Sequence, residues 1–502
     1  MKDLETLVKN YKDYRRKVLA FRYFDYVIGW DTETIAPSGC MDDRSEYLGF
    51  ISEETYKLNQ SEETKELINE LYSRKEELDK DLAFEISEIK RNNDRESKVP
   101  MEEIVEYTKL LGSSHAIWLK AKQNDDFSLF TPHLKKIVEF LRKYVKYLET
   151  DEIKGYDVLL DEYERGFSSK TYDEFFGALE EKLVPFVKKV ASTKLNYNKT
   201  IQEIKVPISK QVEFVKYIQD VMCFRKENGA IAESEHPFTS GFNNSDVRIT
   251  VHYYEDLPTS SIFSAVHELG HATYEQQVDN KYNNTLIGGG ASMALHESQS
   301  RFYENIIGRS FEFWSEHYKK YQEITSPQFD NISLEDFYKS INEATCSFIR
   351  VEADELTYPL HIMLRYNLER DLINGKLEVK DLEAEWNKRF EEIFALKVTK
   401  ASEGVLQDVH WAHGSIGYFP TYALGSAYGS QILAAMNNDF DVFESLKTKN
   451  TAQINKWLKE HIHKFGASDL PNNIFESAVK AKFDPNYYVD YLINKFKKVY
   501  GL

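Results

Sequence analysis

Residues 264–277 read SAVHELGHATYEQQ, and the five residues His267-Glu268-Leu269-Gly270-His271 inside them decide the reading of the chain. Side chains four apart on an α-helix stand on one face, so both imidazoles reach a single cation. Glu268 projects about 100° around the helix from its neighbour, toward a water at the cation's open position rather than toward the cation. A catalytic zinc needs this set of neutral nitrogen ligands, an open position and a carboxylate beside it. With 13 histidines in 502 residues, chance yields the pattern about 0.03 times per chain.

The context upstream suits that helix. Val247, Ile249 and Val251 alternate with Arg248, Thr250 and His252, the period-two pattern of a half-buried strand. A Pro258-Thr259-Ser260-Ser261 turn follows, with Thr259 or Ser260 expected to cap the helix. Downstream, a consecutive-histidine metal site would need Gly at 274 and His at 277; the chain has Tyr274 and Gln277, which excludes it. The next candidates for a third ligand are His296 and Glu297, in ASMALHESQSRFYENIIG (291–308), expected as a second helix after the Gly288-Gly289-Gly290 turn. Helix neighbours point about 100° apart, so only one of the pair ligates. Two histidines with a glutamate from a following helix form a known catalytic set, which selects Glu297 and leaves His296 in support or in the core.

Further out, the chain is helix after helix. Leu134, Ile137, Val138, Leu141, Val145 and Leu148 follow one buried helical stripe. Phe175, Phe176, Leu179, Leu183 and Phe186 repeat it within 172–189, and Tyr488, Tyr491, Leu492 and Phe496 near the end. Breaks fall at Ser326-Pro327, Asn374-Gly375 and Pro471. Only 22 Gly and 12 Pro occur, against averages of about 7% and 5%, which favours a mainly α protein. Cys40, Cys223 and Cys346 are scattered and odd in number, fitting neither a disulfide framework nor a cysteine metal site. A reducing, cytoplasmic setting is expected, as the N-terminus is charged and amphipathic and no run is apolar enough to span a membrane. A net charge of −18 argues against a nucleic-acid partner.

The motifs His236-Pro237-Phe238, Asp246-Val247-Arg248-Ile249-Thr250, His267-Glu268-Leu269-Gly270-His271 and His296-Glu297-Ser298-Gln299-Ser300 occur in that order. Ile349-Arg350 with Ala353-Asp354 follows, then Gly404 with Gln407-Asp408 and His410-Trp411. Trp30-Asp31-Thr32 and Gly417-Tyr418-Phe419-Pro420-Thr421-Tyr422 complete the set. Together they resemble the M32 family of metallocarboxypeptidases, of the Thermus thermostable type, across nearly the whole chain. The resemblance implies a two-lobed helical body of gluzincin, neurolysin-like kind, with a deep groove and a small antiparallel sheet beside the HEXXH helix. It implies one catalytic domain over 1–502, a homodimer, and release of single C-terminal residues from peptides with broad specificity. One zinc per subunit is expected, with cobalt or manganese as substitutes.

Glu268 then serves as general base. An oxyanion needs a donor besides the metal, for which His236, His410 and Tyr422 are the candidates; by resemblance His410 and Tyr422 face the substrate's C-terminal end and His236 lies nearer the catalytic water. A free carboxylate is best held by an arginine fork. Arg350 is the first choice and Arg248 the second. Asp246, Asp354 and Asp408 are expected to orient histidines or arginines. Endopeptidase and dipeptidyl carboxypeptidase chemistry share the metal set, and a peptide-binding protein with a degenerate site is the reading from outside the enzymes; the intact Glu268 speaks against the last.

Overall fold

The computed structural model describes residues 3–502. Among these, twenty-one α-helices and three short strands make the chain mainly helical, as the scarcity of Gly and Pro predicts. The three-four stripes become buried faces. The Thr131–Leu148 helix buries Leu134, Ile137, Val138, Leu141, Val145 and Leu148. The 172–189 stripe spans the Ser169–Ala178 helix, a π-helical turn at Leu179–Leu183 and the Val184–Ala191 helix. Phe175, Phe176, Leu179, Leu183 and Phe186 along it are all buried. The Asn486–Tyr500 helix buries Tyr488, Leu492 and Phe496. Helix boundaries follow the predicted breaks: Phe311–Thr325 ends before Ser326-Pro327, Tyr358–Ile373 ends at Asn374, and Pro471 opens the next helix.

One extensive apolar core runs through most of the molecule. A smaller one, built on Leu7, Tyr11, Val18, Leu67, Ile68, Leu71 and Ile86, holds the N-terminal helices together. Among the described residues no helix is long and apolar enough to cross a membrane.

Strands β1 (Gly229–Glu233), β2 (Thr239–Asn243) and β3 (Asp246–Val251) form one sheet in the order β1-β3-β2. The expected antiparallel sheet is mixed instead. β2 and β3 pair antiparallel across the tight Asn244-Ser245 connection, whereas β1 pairs parallel to β3. The Ser234–Phe238 connection lets β1 and β2 take opposite edges of β3. Val247, Ile249 and Val251 are fully buried, as their alternation requires, and Thr250 is buried too, its hydroxyl tied to Ser234 and the Phe238 amide. The HELGH helix, Pro258–Gln277, packs on β3 and β2. Neither Thr259 nor Ser260 caps it. Leu257 stands at the cap position and Pro258 opens the first turn, where its missing N–H costs no hydrogen bond.

Candidate metal centre

Two helices build the site. The Met293–Arg301 helix starts where expected, with the Ser292 hydroxyl capping the Leu295 amide. Buried Glu164 adds to that start by accepting from the Ser292 hydroxyl and the Ala294 amide. The HELGH helix can lie against it because Gly270 has no side chain: a Cβ there would sit 2.8 Å from Ser300 Cα. Gly425, on the Phe419–Asn437 helix, does the same service on the other flank, where a Cβ would meet Glu297 Cβ at 2.8 Å. Each glycine gives up helix propensity of about 0.5–1 kcal/mol for that approach.

The approach brings Glu297 Oε2 to 3.7 Å from His267 Nε2 and 3.5 Å from His271 Nε2. Among the described residues these three are the one group of His, Cys, Asp or Glu side chains clustered tightly enough to hold a cation. Tetrahedral zinc, with bonds of about 2.0–2.1 Å, sets its ligand atoms about 3.3 Å apart, so the side chains fit an ion after shifts of a few tenths of an ångström.

Hydrogen bonding fixes the tautomers. His267 Nδ1 lies 2.9 Å from Glu304 Oε2, so it carries the proton and leaves Nε2 free to ligate. His271 reaches the same state by a longer route. His296 Nε2 faces Glu275 Oε1 at 2.7 Å and must donate to it. His296 Nδ1 therefore accepts, and His271 Nδ1, 2.6 Å away, donates. Burial drives His271 down to about 3, so its ring is neutral as a ligand requires. Burial opposes the ionisation of Glu297, but the Arg301 guanidinium beside it outweighs that and holds the carboxyl well below its usual range. The Arg301 Nε–Glu297 Oε1 contact is 2.7 Å.

Glu268 is held separately. Its Oε2 accepts from the Thr239 hydroxyl of β2 at 2.6 Å, and burial raises its carboxyl above the ordinary value, as a general base near neutrality needs. A cavity of about 810 Å³ opens beside it, lined by His236, His267, Glu268, Arg301 and Arg309 among others. A second, of about 440 Å³, is lined by His271, His296, Glu297, Tyr418 and Tyr422.

The sequence as a whole matches the family described as Carboxypeptidase Taq (M32) metallopeptidase over residues 10–496. The chain belongs to the M32 metallocarboxypeptidases. Carboxypeptidase 1 of Bacillus subtilis (strain 168) is 37% identical over 501 residues, 100% of both chains. The solved M32 carboxypeptidase from Deinococcus radiodurans R1 superposes with a TM-score of 0.94 at 28% identity, over 99% of this chain and 100% of that one. The Pyrococcus furiosus carboxypeptidase structure gives 0.93 at 33% identity, over 99% of each. The protein is thus a peptide hydrolase, and the family implies a divalent metal.

Within this M32 carboxypeptidase the remaining expected residues fall into distinct groups. Arg350 is buried; its Nε and Nη2 both donate to Asp408 Oδ1 (2.9 and 2.8 Å) and its Nη1 to the Tyr358 hydroxyl (3.0 Å). Five N–H groups less these three leave one on each Nη, the outer fork that suits a carboxylate. Its guanidinium lies 5.4 Å from the Tyr422 ring, and Tyr422 in turn lines the cavity beside His271 and Glu297. His410 Nε2 lies 3.3 Å from the Tyr422 hydroxyl, and burial lowers His410 to about 4. His236 is exposed on the larger cavity.

Arg248 stays with the sheet, where Asp246 grips it bidentately at 2.8 Å and its guanidinium lies 5.0 Å from Tyr26 and 5.7 Å from Trp30 of the Leu4–Thr34 helix. Asp246 and Asp408 each hold an arginine by hydrogen bonds, Arg248 and Arg350 respectively. Asp354 does not: it accepts from the Thr345, Leu356 and Thr357 amides and the Thr357 hydroxyl, capping backbone ahead of the Tyr358–Ile373 helix. A short carboxylate next to four convergent donors has no capacity left for a distant ring. Glu304, Arg301, Glu275, Thr239 and Arg365 went unread in the sequence. For two of them a signal existed, since Glu297, Arg301 and Glu304 are spaced four and three apart on one helical face.

Proposed function

We propose that the enzyme is a zinc carboxypeptidase that removes single C-terminal residues from peptides, broadly with respect to their identity. The observation that carries this reading is the convergence of His267 Nε2 and His271 Nε2 on Glu297 Oε2 at 3.7 and 3.5 Å, with Glu268 beside them. Bound there, zinc would supply a Lewis acid for the scissile carbonyl and bring the pKa of a water to about 7. Glu268 takes the proton of the attacking water and returns it to the departing amine; its raised carboxyl and its Thr239 contact suit both transfers. The outer fork of Arg350 holds the substrate carboxylate, with Asp408 fixing the fork's direction. Tyr422 and neutral His410 donate toward the C-terminal residue, and His236 faces the catalytic water from the larger cavity. Arg248, already gripped by Asp246 and close to the Tyr26 and Trp30 rings, remains the second choice for the carboxylate.

Cobalt or manganese would fit the same nitrogen and oxygen ligands. The chain acts as one catalytic domain over 1–502, and the active form is a homodimer, as its resemblance to the family implies. Three unpaired cysteines, Cys40, Cys223 and Cys346, suit the cytoplasm.

The test is a digest of an N-blocked peptide with free or amidated C-terminus, with and without chelator, read by mass. Stepwise loss of single residues from the free peptide alone, abolished by chelator, is the expected result. Dipeptide or internal cuts, or equal cleavage of the amide, would overturn it. Glu268→Gln is expected to lose turnover by a factor of about 10²–10⁴ and keep its metal.

A further inference from the structure

The Tyr358–Ile373 helix carries three polar side chains spaced seven and four apart, of which Tyr358 meets Arg350 while Arg365 and Glu369 reach the chain on either side of His410. Tyr358 accepts from Arg350, Arg365 donates to Asp408 Oδ2, and Glu369 holds the segment beyond. Glu369 is fully buried. Its Oε1 accepts from Trp411 Nε1 at 2.7 Å, and its Oε2 from the Gly417 amide at 2.9 Å and the Tyr156 hydroxyl at 2.7 Å. Trp411 follows His410 directly, and Gly417 immediately precedes the Tyr418–Tyr422 stretch that lines the cavity beside His271 and Glu297. One carboxylate therefore pins both ends of the turn that carries His410 and leads into Tyr422.

No cation touches it among the described residues. Arg365, one turn back on the same helix, spends its Nε on Asp408 and its Nη1 on the His361 carbonyl. The groups that meet Glu369 from neighbouring elements are Tyr156, Trp411 and Gly417, Tyr163 is near enough to feel its charge, and Arg365 on its own helix is paired with Asp408, which also holds Arg350. A buried, unpaired carboxylate is costly, and three convergent donors are a specific reason to keep one, since a neutral amide offers a single accepting atom.

We propose that Glu369 is a positioning residue for substrate: by holding Trp411 and Gly417 it preforms the wall from which His410, Tyr422 and Arg350 receive the C-terminal residue. This rests on the reading that the wall binds that residue. Burial raises the Glu369 carboxyl to about 7, against the pull of Tyr156, Gly417, Trp411 and Arg365. The clamp therefore weakens as pH falls through neutrality: the carboxyl loses its charge, and the oxygen that takes the proton becomes a donor, which only the Tyr156 hydroxyl among its three partners can turn to accept.

The experiment measures KM and kcat of the metal-loaded full chain on an N-blocked, free-carboxylate peptide between about pH 5.5 and 8.5. Glu369→Gln sets its amide against one of the three donors. It is expected to raise KM about tenfold with kcat within about twofold, and to remove a rise in KM below about pH 7 that the parent enzyme shows. Adding Trp411→Phe removes the opposed donor and should recover at least about a third of the lost affinity. An unchanged KM in Glu369→Gln, a fall in kcat alone, or no recovery in the double variant would overturn the proposal. Should Glu369→Gln fail to fold, Trp411→Phe alone decides, since it removes one donor without opposing another: KM raised at least about threefold supports the clamp, and a smaller change overturns it. Arg350→Gln separates the two layers. If it leaves KM unchanged, the reading of the wall has failed; if it raises KM while Glu369→Gln does not, only the positioning role has.

Discussion

His267 and His271 face the same carboxylate, yet they are braced differently. Glu304 takes the Nδ1 proton of His267 directly, whereas His271 is braced through His296 onto Glu275. Glu304 also accepts from Arg301 and Arg309, so its charge serves the cations as well as the ligand. Glu304→Gln keeps an acceptor for the ring but removes the charge that strengthens the imidazole as a ligand. Metal affinity should fall by about 10–100-fold, measured by competition with a chromophoric chelator; unchanged affinity would show that the contact is only a packing detail. The spacing of Glu297, Arg301 and Glu304 was open to reading. The Thr239–Glu268 contact was not, because the partners lie 29 positions apart, on a strand and a helix.

At the scale of elements, the decisive relation is the close approach of two helices. Gly270 lies inside the HELGH motif, where sequence gives it no evident duty, and the packing supplies one. Gly270→Ala sets a Cβ 2.8 Å from Ser300 Cα, a backbone atom that cannot swing away. It should cost about 1–3 kcal/mol in chemical unfolding and weaken metal binding, because Glu297 moves back from the histidines. An alanine variant as stable as the parent would contradict this account.

The start of the Glu297 helix supplies a pH test. Burial lifts Glu164 to about 8, against the pull of Ser292 and Ala294. Above its ordinary value of about 4.3 the unfolded carboxyl ionises while the folded one keeps its proton. Its contribution therefore erodes stability as pH rises, until the folded group ionises near 8. Glu164→Gln retains an acceptor for the Ala294 amide and has no proton to lose. Its unfolding midpoint should gain on the parent's steadily from about pH 5 to 8; parallel midpoints across that range would exclude the effect.

Over the whole molecule, the candidate metal ligands stand on two separate helices, so a metal held there would couple binding to folding. Zinc at 100 times its dissociation constant should stabilise the fold by about 2.7 kcal/mol. Scanning calorimetry with zinc and with chelator reads this directly, and coincident transitions would mean that the site is not metal-binding in the folded state.

The chain by itself determined the helical character, the buried stripes, strand β3 and the pairing of His267 with His271 on one helical face, because each depends on residue types at fixed local spacing. Periods of two and 3.6 and a four-residue step along one helix need no knowledge of distant neighbours. Only the tertiary structure decided that the sheet is mixed, that Asp354 caps backbone, and that Arg365 and Glu369 brace the His410 turn. Those facts concern which groups meet across long stretches of chain. Pairing of buried polar atoms is settled by the packing that removes water from them, and no local pattern records it.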